Sequence, residues 1–134
     1  MAVNNIVTAI RDLVADVFAD AIDGGASNGI VQIFTAAFAT LLSTNAFSDP
    51  AYGASSGGTA QENAIADDTS ADATGTAAVL RISTTDDGST PLATQWEGTV
   101  TVTAGGGDIE FNSVAFVAGD VVSITDLPIT MPAS

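Results

Sequence analysis

The side chains that could do chemistry are aspartates, and three of them cluster in the segment ADDTSADATG at residues 66–75. Asp67, Asp68 and Asp72 stand among small and hydroxyl-bearing residues, so they offer the hard oxygen ligands that calcium prefers. The segment lacks the every-other-residue ligand spacing and the distal glutamate of a helix-loop-helix calcium loop. The three aspartates are therefore only minor calcium candidates. We expect instead an ordered acidic loop in which Asp67 or Asp72 accepts backbone amide hydrogen bonds.

The residue inventory excludes most catalytic mechanisms. The chain has no histidine, lysine or cysteine, which excludes a Ser-His-Asp triad, a thiol nucleophile, a Schiff base and a His/Cys zinc site. The GGGD segment at residues 105–108 lacks the lysine and helix of a phosphate-binding loop. A pair of carboxylates could still act as acid and base, but Glu97 follows Trp96 in a strand pattern, where neighbours face opposite sides. We expect Trp96 in the core and Glu97 outside, and neither an enzyme nor a cofactor.

The charge balance limits the partners of the chain. Sixteen acidic residues face two arginines, which gives a formal net charge of −14. Such a chain repels nucleic-acid phosphates and anionic membrane surfaces, so we expect neither as a partner. No apolar run is long enough to span a bilayer, and the first residues lack the basic and apolar regions of a secretory signal. We expect Arg81 on a solvent face or paired with an acidic residue across two strands.

The first segment has the period of an amphipathic helix, predicted over residues 5–22. Asn4 or Asn5 can cap its start, and the glycines after Asp23 can stop it. The apolar stripe consists of Ile6, Ile10, Leu13, Val14, Val17 and Phe18. The charged residues Arg11, Asp12, Asp16 and Asp20 fall on the opposite face.

The apolar stripe needs a partner surface. A lone helix usually docks on the sheet of its own domain, so we expect the stripe to cover that sheet. A subunit interface is the alternative, and under it the six stripe residues are the candidate assembly surface.

The rest of the chain, residues 29–134, has the pattern of short strands separated by turns. Strand runs occur at 29–36, 39–47, 77–84, 91–103, 109–117 and 121–131, with a weak one near Thr59–Ile65. The segment TDDGST at 85–90 suits a hairpin, and the segment after the turn at 104–108 is expected to pair back. Pro128 predicts an edge strand or a bulge in the last run. The sequence predicts one domain over 1–134, an antiparallel β-sandwich or small barrel of about seven or eight strands with one N-terminal helix.

Two long segments carry a resemblance to a known group: SDPAYGASSGGTAQENAIADDTSADATGTAAVLRISTTDDGSTPL and GGDIEFNSVAFVAGDVVSITDLPITMPAS. In order and spacing they resemble small virion proteins of tailed bacteriophages. Those proteins commonly carry NPAF-GA, then D-SADATGTA and a hydrophobic strand, and close on LN-TSI-AGD-VSVTS-TITMP. The resemblance covers residues 48–133, and the helix with the first strand matches more loosely. The chain departs from the group at 89–107, which is longer than the usual second hairpin strand and turn.

The resemblance implies a structural component of a virion, most of all a capsid decoration (cement) protein on the outer surface of the shell. The expected partners are the major capsid protein or other virion proteins, and further copies of the chain in a homo-oligomer such as a trimer. The protein would be made in the host cytoplasm. A tail, neck or fibre-base component and a host-polysaccharide-binding module are the alternatives, the second of which needs exposed aromatic side chains.

Overall fold

The computed structural model describes residues 6–25, 27–84 and 95–133, and over these the fold is mainly β with one N-terminal helix. A curled five-stranded sheet is joined by two small two-stranded sheets, which confirms the predicted fold class. Helix α1 spans Thr8–Ile22. The strands are β1 (Ile30–Phe34), β2 (Leu41–Ala46), β3 (Thr59–Ala60), β4 (Gly75–Thr76), β5 (Val79–Ser83), β6 (Gln95–Val102), β7 (Ile109–Phe111), β8 (Ala115–Phe116) and β9 (Ile129–Thr130). The division into a single domain stays a prediction.

The helix starts three residues later than predicted. Its N-cap position is Val7, which has no side chain able to accept the first amide hydrogen bonds. Asn4 and Asn5, the predicted caps, lie outside the described residues. The last turn ends at Ile22 as predicted, and Asp23 follows as the C-cap.

The main sheet has the order β2-β1-β5-β6-β7. Strand β1 lies between β2 and β5 and pairs antiparallel with both. Ile30, Val31 and Ile33 are buried and Phe34 is half-buried. Because neighbouring residues of a strand point to opposite faces, the fold covers β1 on both sides. The predicted runs at 29–36, 39–47 and 77–84 are confirmed as β1, β2 and β5. The predicted hairpin at 85–90 lies outside the described residues.

The expectation that residues 109–117 pair back after the turn is wrong. Strand β7 runs parallel to β6, with Val100 opposite Ile109. The chain first folds back along β6, so that the amide of Asp108 donates to the carbonyl of Thr99 at 2.9 Å. It then turns again and re-enters the sheet in the direction of β6. Residues 115–116 form β8 instead, which pairs with β4.

The two small sheets close the remaining sides of the core. Strand β9 follows Pro128 and pairs with β3, so it lies at an edge as Pro128 predicted. The helix, the main sheet and the C-terminal segment share one apolar cluster. Its largest fully buried members are Phe47, Ile22, Ile33, Leu42, Leu80 and Val31.

The single tyrosine of the chain anchors the segment after β2 to the C-terminal segment. Tyr52 is 4% exposed, packs beside Phe47, and donates from Oη to the carbonyl of Leu127 at 2.9 Å. Burial, helped by the nearby charge of Glu62, raises the pKa of Tyr52 above its ordinary value of 10.0. The folded state therefore favours the neutral phenol.

Substitution of Tyr52 by phenylalanine should change stability differently at neutral and alkaline pH. At pH 7 it should cost about 1–2 kcal/mol, because the carbonyl of Leu127 loses its buried donor. In the wild type the raised pKa means that stability is full below the unfolded-state pKa and falls as the pH rises above it. The variant should lack that alkaline loss. Urea unfolding from about pH 7 to 11.5, with tyrosinate absorbance followed in parallel, checks both effects. Ionisation of Tyr52 at its ordinary pKa in the folded protein would contradict the proposed anchor.

Candidate functional site: an assembly surface

Two of the three aspartates of the loop at residues 66–75 are hydrogen-bonded within the chain through their side chains. The side chain of Asp67 accepts a hydrogen bond from the hydroxyl of Ser123, and Asp68 accepts from the amides of Thr44 and Ser70. Across 6–25, 27–84 and 95–133, no group of three or more acidic side chains is placed to hold a metal ion. The expected backbone acceptor was Asp67 or Asp72, but the structure places Asp68 in that role.

The loop instead covers the outer edge of β2. The amide of Ala66 donates to the carbonyl of Ala46 at 2.7 Å, and the amide of Asp72 donates to the carbonyl of Leu42 at 2.8 Å. Between them, Asp68 Oδ2 accepts from the amide of Thr44 at 3.0 Å. On its other side the loop pairs with the C-terminal segment through Asp68 and Val122. The carboxylate of Asp68 therefore serves as a hydrogen-bond acceptor for backbone amides.

The two carboxylates Asp68 and Asp72 make a matched test of this role. Replacement of Asp68 by alanine should destabilise the fold by about 1–3 kcal/mol, because a half-buried amide of β2 loses a charged acceptor. Asp72→Ala should change stability by less than about 0.5 kcal/mol, because its side chain is exposed. Urea midpoints with equal m-values measure both changes. Equal effects of the two variants would contradict the role given to Asp68.

Helix α1 meets the rest of the fold through small side chains. Ala15 and Ala19 are 0% and 5% exposed, and Ile22 is fully buried at the end of the helix. All three belong to the apolar cluster of the fold, and among the strands β3 and β9 make the most extensive contacts with α1. Alanines let the helix backbone approach closely, so the contact buries little aliphatic volume.

The charged side of α1 also faces the body of the protein and forms hydrogen bonds with it. The sequence pattern predicted the reverse, with the apolar stripe facing inward. Ser55 donates from its amide to Asp16 at 2.8 Å and from its hydroxyl to the carbonyl of Asp12 at 2.8 Å. Asp12 also accepts from the amide of Gly58. Arg11 donates from Nε to the carbonyl of Met131 at 2.9 Å. The polar side of the helix is therefore held against the segment at residues 51–58 and against the end of β9.

Gly58 is the position at which this contact is tightest. Its φ of +85° is in the left-handed region, and a Cβ there would lie 2.5 Å from the Arg11 guanidinium. Gly57, with φ +67°, has open space around it. A side chain at either position would strain the left-handed backbone, but only one at Gly58 would also clash with Arg11.

Alanine substitutions at the two glycines separate strain from the helix contact. Gly57→Ala should cost about 1 kcal/mol from the left-handed backbone alone. Gly58→Ala should cost about 1–3 kcal/mol more, because the guanidinium has to leave its position over the turn. The added Arg11→Ala change should recover part of that difference, as a double-mutant cycle in urea would measure. Equal costs at both glycines would contradict the tight contact.

The apolar stripe of the helix faces solvent. Ile10, Leu13, Val14 and Val17 are 50%, 58%, 37% and 60% exposed. Ile6 and Phe18 are half-buried, and Phe18 packs edge-on against Trp96 with ring centroids 5.4 Å apart. The expectation that the stripe covers its own sheet is therefore wrong, because hydrogen bonds and small side chains hold the other side of the helix inward.

Val7 belongs to the same exposed face, although it is not among the six predicted residues. It is 61% exposed and precedes Ile10 by three positions. The signal that could have identified it is this spacing, since residues three apart share a helix face. We name the exposed face formed by Val7, Ile10, Leu13, Val14 and Val17 the apolar strip.

Arg81 forms an ion pair and aromatic contacts within the chain. It pairs with Glu97 across β5 and β6 at 3.0 Å, which confirms one of its two expected positions. Its guanidinium lies 4.3 Å from the ring centroid of Phe38 and 5.6 Å from that of Phe34. The ion pair and these ring contacts give Arg81 a structural role at the sheet surface.

One apolar cavity of about 170 Å³ opens between α1, the main sheet and β9. Phe18, Trp96 and Met131 are among its lining residues, with Glu97 and Asp108 at the polar part of the wall. Glu97 is paired with Arg81, and Asp108 accepts from the amide and hydroxyl of Thr99. Both carboxylates already have partners, so the cavity presents apolar surface in place of an acid/base pair.

Comparisons with models of protein families, with curated proteins and with solved structures found no match. Across the described ranges, no helix has both the length and the apolar character needed to cross a membrane. The apolar strip on α1 is thus the candidate functional surface that the geometry itself provides.

Proposed function

We propose that this chain is a structural virion protein of a tailed bacteriophage, most specifically a capsid decoration protein on the outside of the shell. The observation that carries the proposal is the apolar strip, an exposed aliphatic face on a protein of net charge −14. A surface of this kind in a soluble assembly is normally covered by another protein. The resemblance of residues 48–133 to small phage virion proteins is the reason for proposing a virion as the assembly.

The acidity of the chain supports an outer position. Sixteen acidic residues against two arginines would repel packaged DNA on the inside of a shell. On the outside, the same charge keeps particles apart and soluble. The protein would be made in the host cytoplasm and would join the particle there, with the major capsid protein as its main partner.

The use of the polar groups supports an assembly role without catalysis. Asp12, Asp16 and Asp68 accept hydrogen bonds from backbone amides, and Glu97 pairs with Arg81. The only indole of the chain, Trp96, packs on Phe18 and lies half-buried. These engagements favour a protein that binds through shape and apolar contact over one that reacts with a substrate or stacks on a sugar.

Virions provide the direct test. Quantitative mass spectrometry of virions from the phage that encodes the chain should give a copy number comparable with that of the major capsid protein. Purified chain added to heads that lack it should cosediment with them and raise the temperature at which they release DNA. A few copies per virion would point to a tail, neck or fibre-base position, and would overturn the decoration role. No binding to heads would overturn it as well.

A further inference from the structure

We propose that the apolar cavity between α1, the main sheet and β9 is a binding site for a small organic cation, a molecule with an apolar body of about one ring and a positively charged end. The proposal goes beyond the assembly role above and does not depend on it. It is carried by the size of the cavity, the glycine that makes room for it, the aromatic side chains of its wall and the charge of its polar part.

The size of the cavity matches a single ring. Its volume is about 170 Å³, and apolar cavities of about 150 Å³ lined by leucine, isoleucine and phenylalanine hold one molecule of benzene. Ile22, Leu80 and Ile82 form part of the wall and are buried. Because the helix and the sheet fix these side chains before a ligand arrives, binding costs little ordering of the protein.

Gly98 makes room for the cavity. It lies inside β6, opposite Leu80 of β5, and it is part of the wall. Glycine weakens the middle of a strand and often marks a place where another group approaches closely. The φ of Gly98 is outside the left-handed region, so the backbone itself does not require glycine there. A Cβ at this position would lie 2.9 Å from Oδ2 of Asp108, so the absent side chain leaves space for this carboxylate as well.

Two aromatic rings form another part of the wall. Phe18 of α1 and Trp96 of β6 meet edge to face, with ring centroids 5.4 Å apart. Both side chains are half-buried, so they keep some accessible surface. Aromatic rings pack well against a further ring, and their faces attract cations. This part of the wall therefore suits a ligand that combines a ring with a positive charge.

The polar part of the wall is negatively charged. Its charged residues are Glu97 and Asp108. The charge of Glu97 is balanced by Arg81, whereas Asp108 has no cationic partner in the described part of the chain. The side-chain hydrogen bonds that Asp108 accepts there both come from Thr99 and both reach Oδ2. An ammonium group at the open end of the cavity would stay in contact with water and would balance this charge.

The charge of the whole chain acts in the same direction. Sixteen acidic residues against two arginines give a formal net charge of −14, which raises the concentration of small cations near the surface and lowers that of anions. The apolar body of a ligand supplies the contact inside the cavity, and its charge then decides between molecules of equal size. We therefore expect a cation to bind more tightly than a neutral molecule or an anion of the same shape.

Three probes of similar size and different charge test the proposal on the wild-type chain. Benzylamine, benzyl alcohol and benzoate are cationic, neutral and anionic at pH 7. Trp96 is the only tryptophan of the chain and lines the cavity, so its fluorescence reports occupancy. Benzylamine should give a saturable change with a Kd on the order of 1 mM. Benzyl alcohol should bind more weakly, and benzoate at least about tenfold more weakly than the amine.

Two results of this titration would overturn the proposal. One is the absence of a saturable response to benzylamine up to about 20 mM, far above the expected Kd. The other is a benzoate affinity equal to that of benzylamine, because the wall would then not select for positive charge.

Neutralisation of Asp108 tests the source of the selectivity. Asp108→Asn keeps an oxygen acceptor for Thr99 but removes the charge, so it should weaken benzylamine binding at least about fivefold and leave benzyl alcohol unchanged. Asp72→Asn is the matched control, because it removes the same charge from an exposed side chain outside the wall of the cavity. It should change the affinity for benzylamine less than about twofold. Equal effects of the two variants would overturn the selection of cations by this wall.

A larger side chain in the wall tests the location. Ile129→Trp should fill the cavity and weaken benzylamine binding at least about tenfold, as ligand-observed NMR would measure. Ile129 is half-buried in the two-residue strand β9, so the fold should tolerate the change, which circular dichroism checks. Val102→Trp is the control, because Val102 is 49% exposed and outside the wall. Undiminished binding to a folded Ile129→Trp variant would overturn the location, and the wild-type titration decides the proposal if that variant does not fold.

Discussion

Carboxylates that accept hydrogen bonds from backbone amides hold the irregular parts of this structure together. The chain has two arginines for sixteen acidic residues, so most acids have no cation to pair with. The structure uses them as acceptors instead, because an amide that leaves a strand or a helix needs a partner. The acidic residues in this role include Asp12, Asp16, Asp23, Asp68, Asp108, Glu110 and Asp120. Hydrogen bonds to charged groups contribute about 1.5–3 kcal/mol, a range that applies here to the part-buried bonds of Asp12, Asp16, Asp23 and Asp68.

The orientation of α1 follows from this constraint. If the apolar strip faced inward, the helix would bury more aliphatic surface, but Asp12 and Asp16 would leave the amides of Ser55 and Gly58 without acceptors. The observed orientation keeps those hydrogen bonds and buries Ala15 and Ala19. The helix therefore contributes its polar side to the stability of the single chain and leaves its aliphatic side to the surface.

The sequence predicts where the helix and the strands lie along the chain better than it predicts how they pack and pair with one another. Alternation in the runs of β1, β2 and β5 is a local property, and these strands appear where the pattern placed them. The period of α1 identifies two faces, but it does not say which one the body covers, because that depends on amides distant in sequence. The parallel direction of β7 escaped prediction for a different reason: the loop at 103–108 is held by hydrogen bonds from its amides to the side chains of Thr101 and Glu110, which strand alternation does not reveal. Of the six residues predicted for the candidate surface, Ile10, Leu13, Val14 and Val17 are exposed, whereas Ile6 and Phe18 are half-buried. The exposed residue Val7 was not predicted.

The segment at residues 66–72 covers the edge of β2, and this limits the ways in which further chains can add to the sheet. An open strand edge is a template on which further chains can add without limit, as in fibres. Here the carbonyls of Leu42 and Ala46 and the amide of Thr44 already have partners from the same chain. At the other end of the sheet, β7 is three residues long, which offers little length for strand addition. Both edges of the main sheet are therefore poor templates for the addition of strands from other chains.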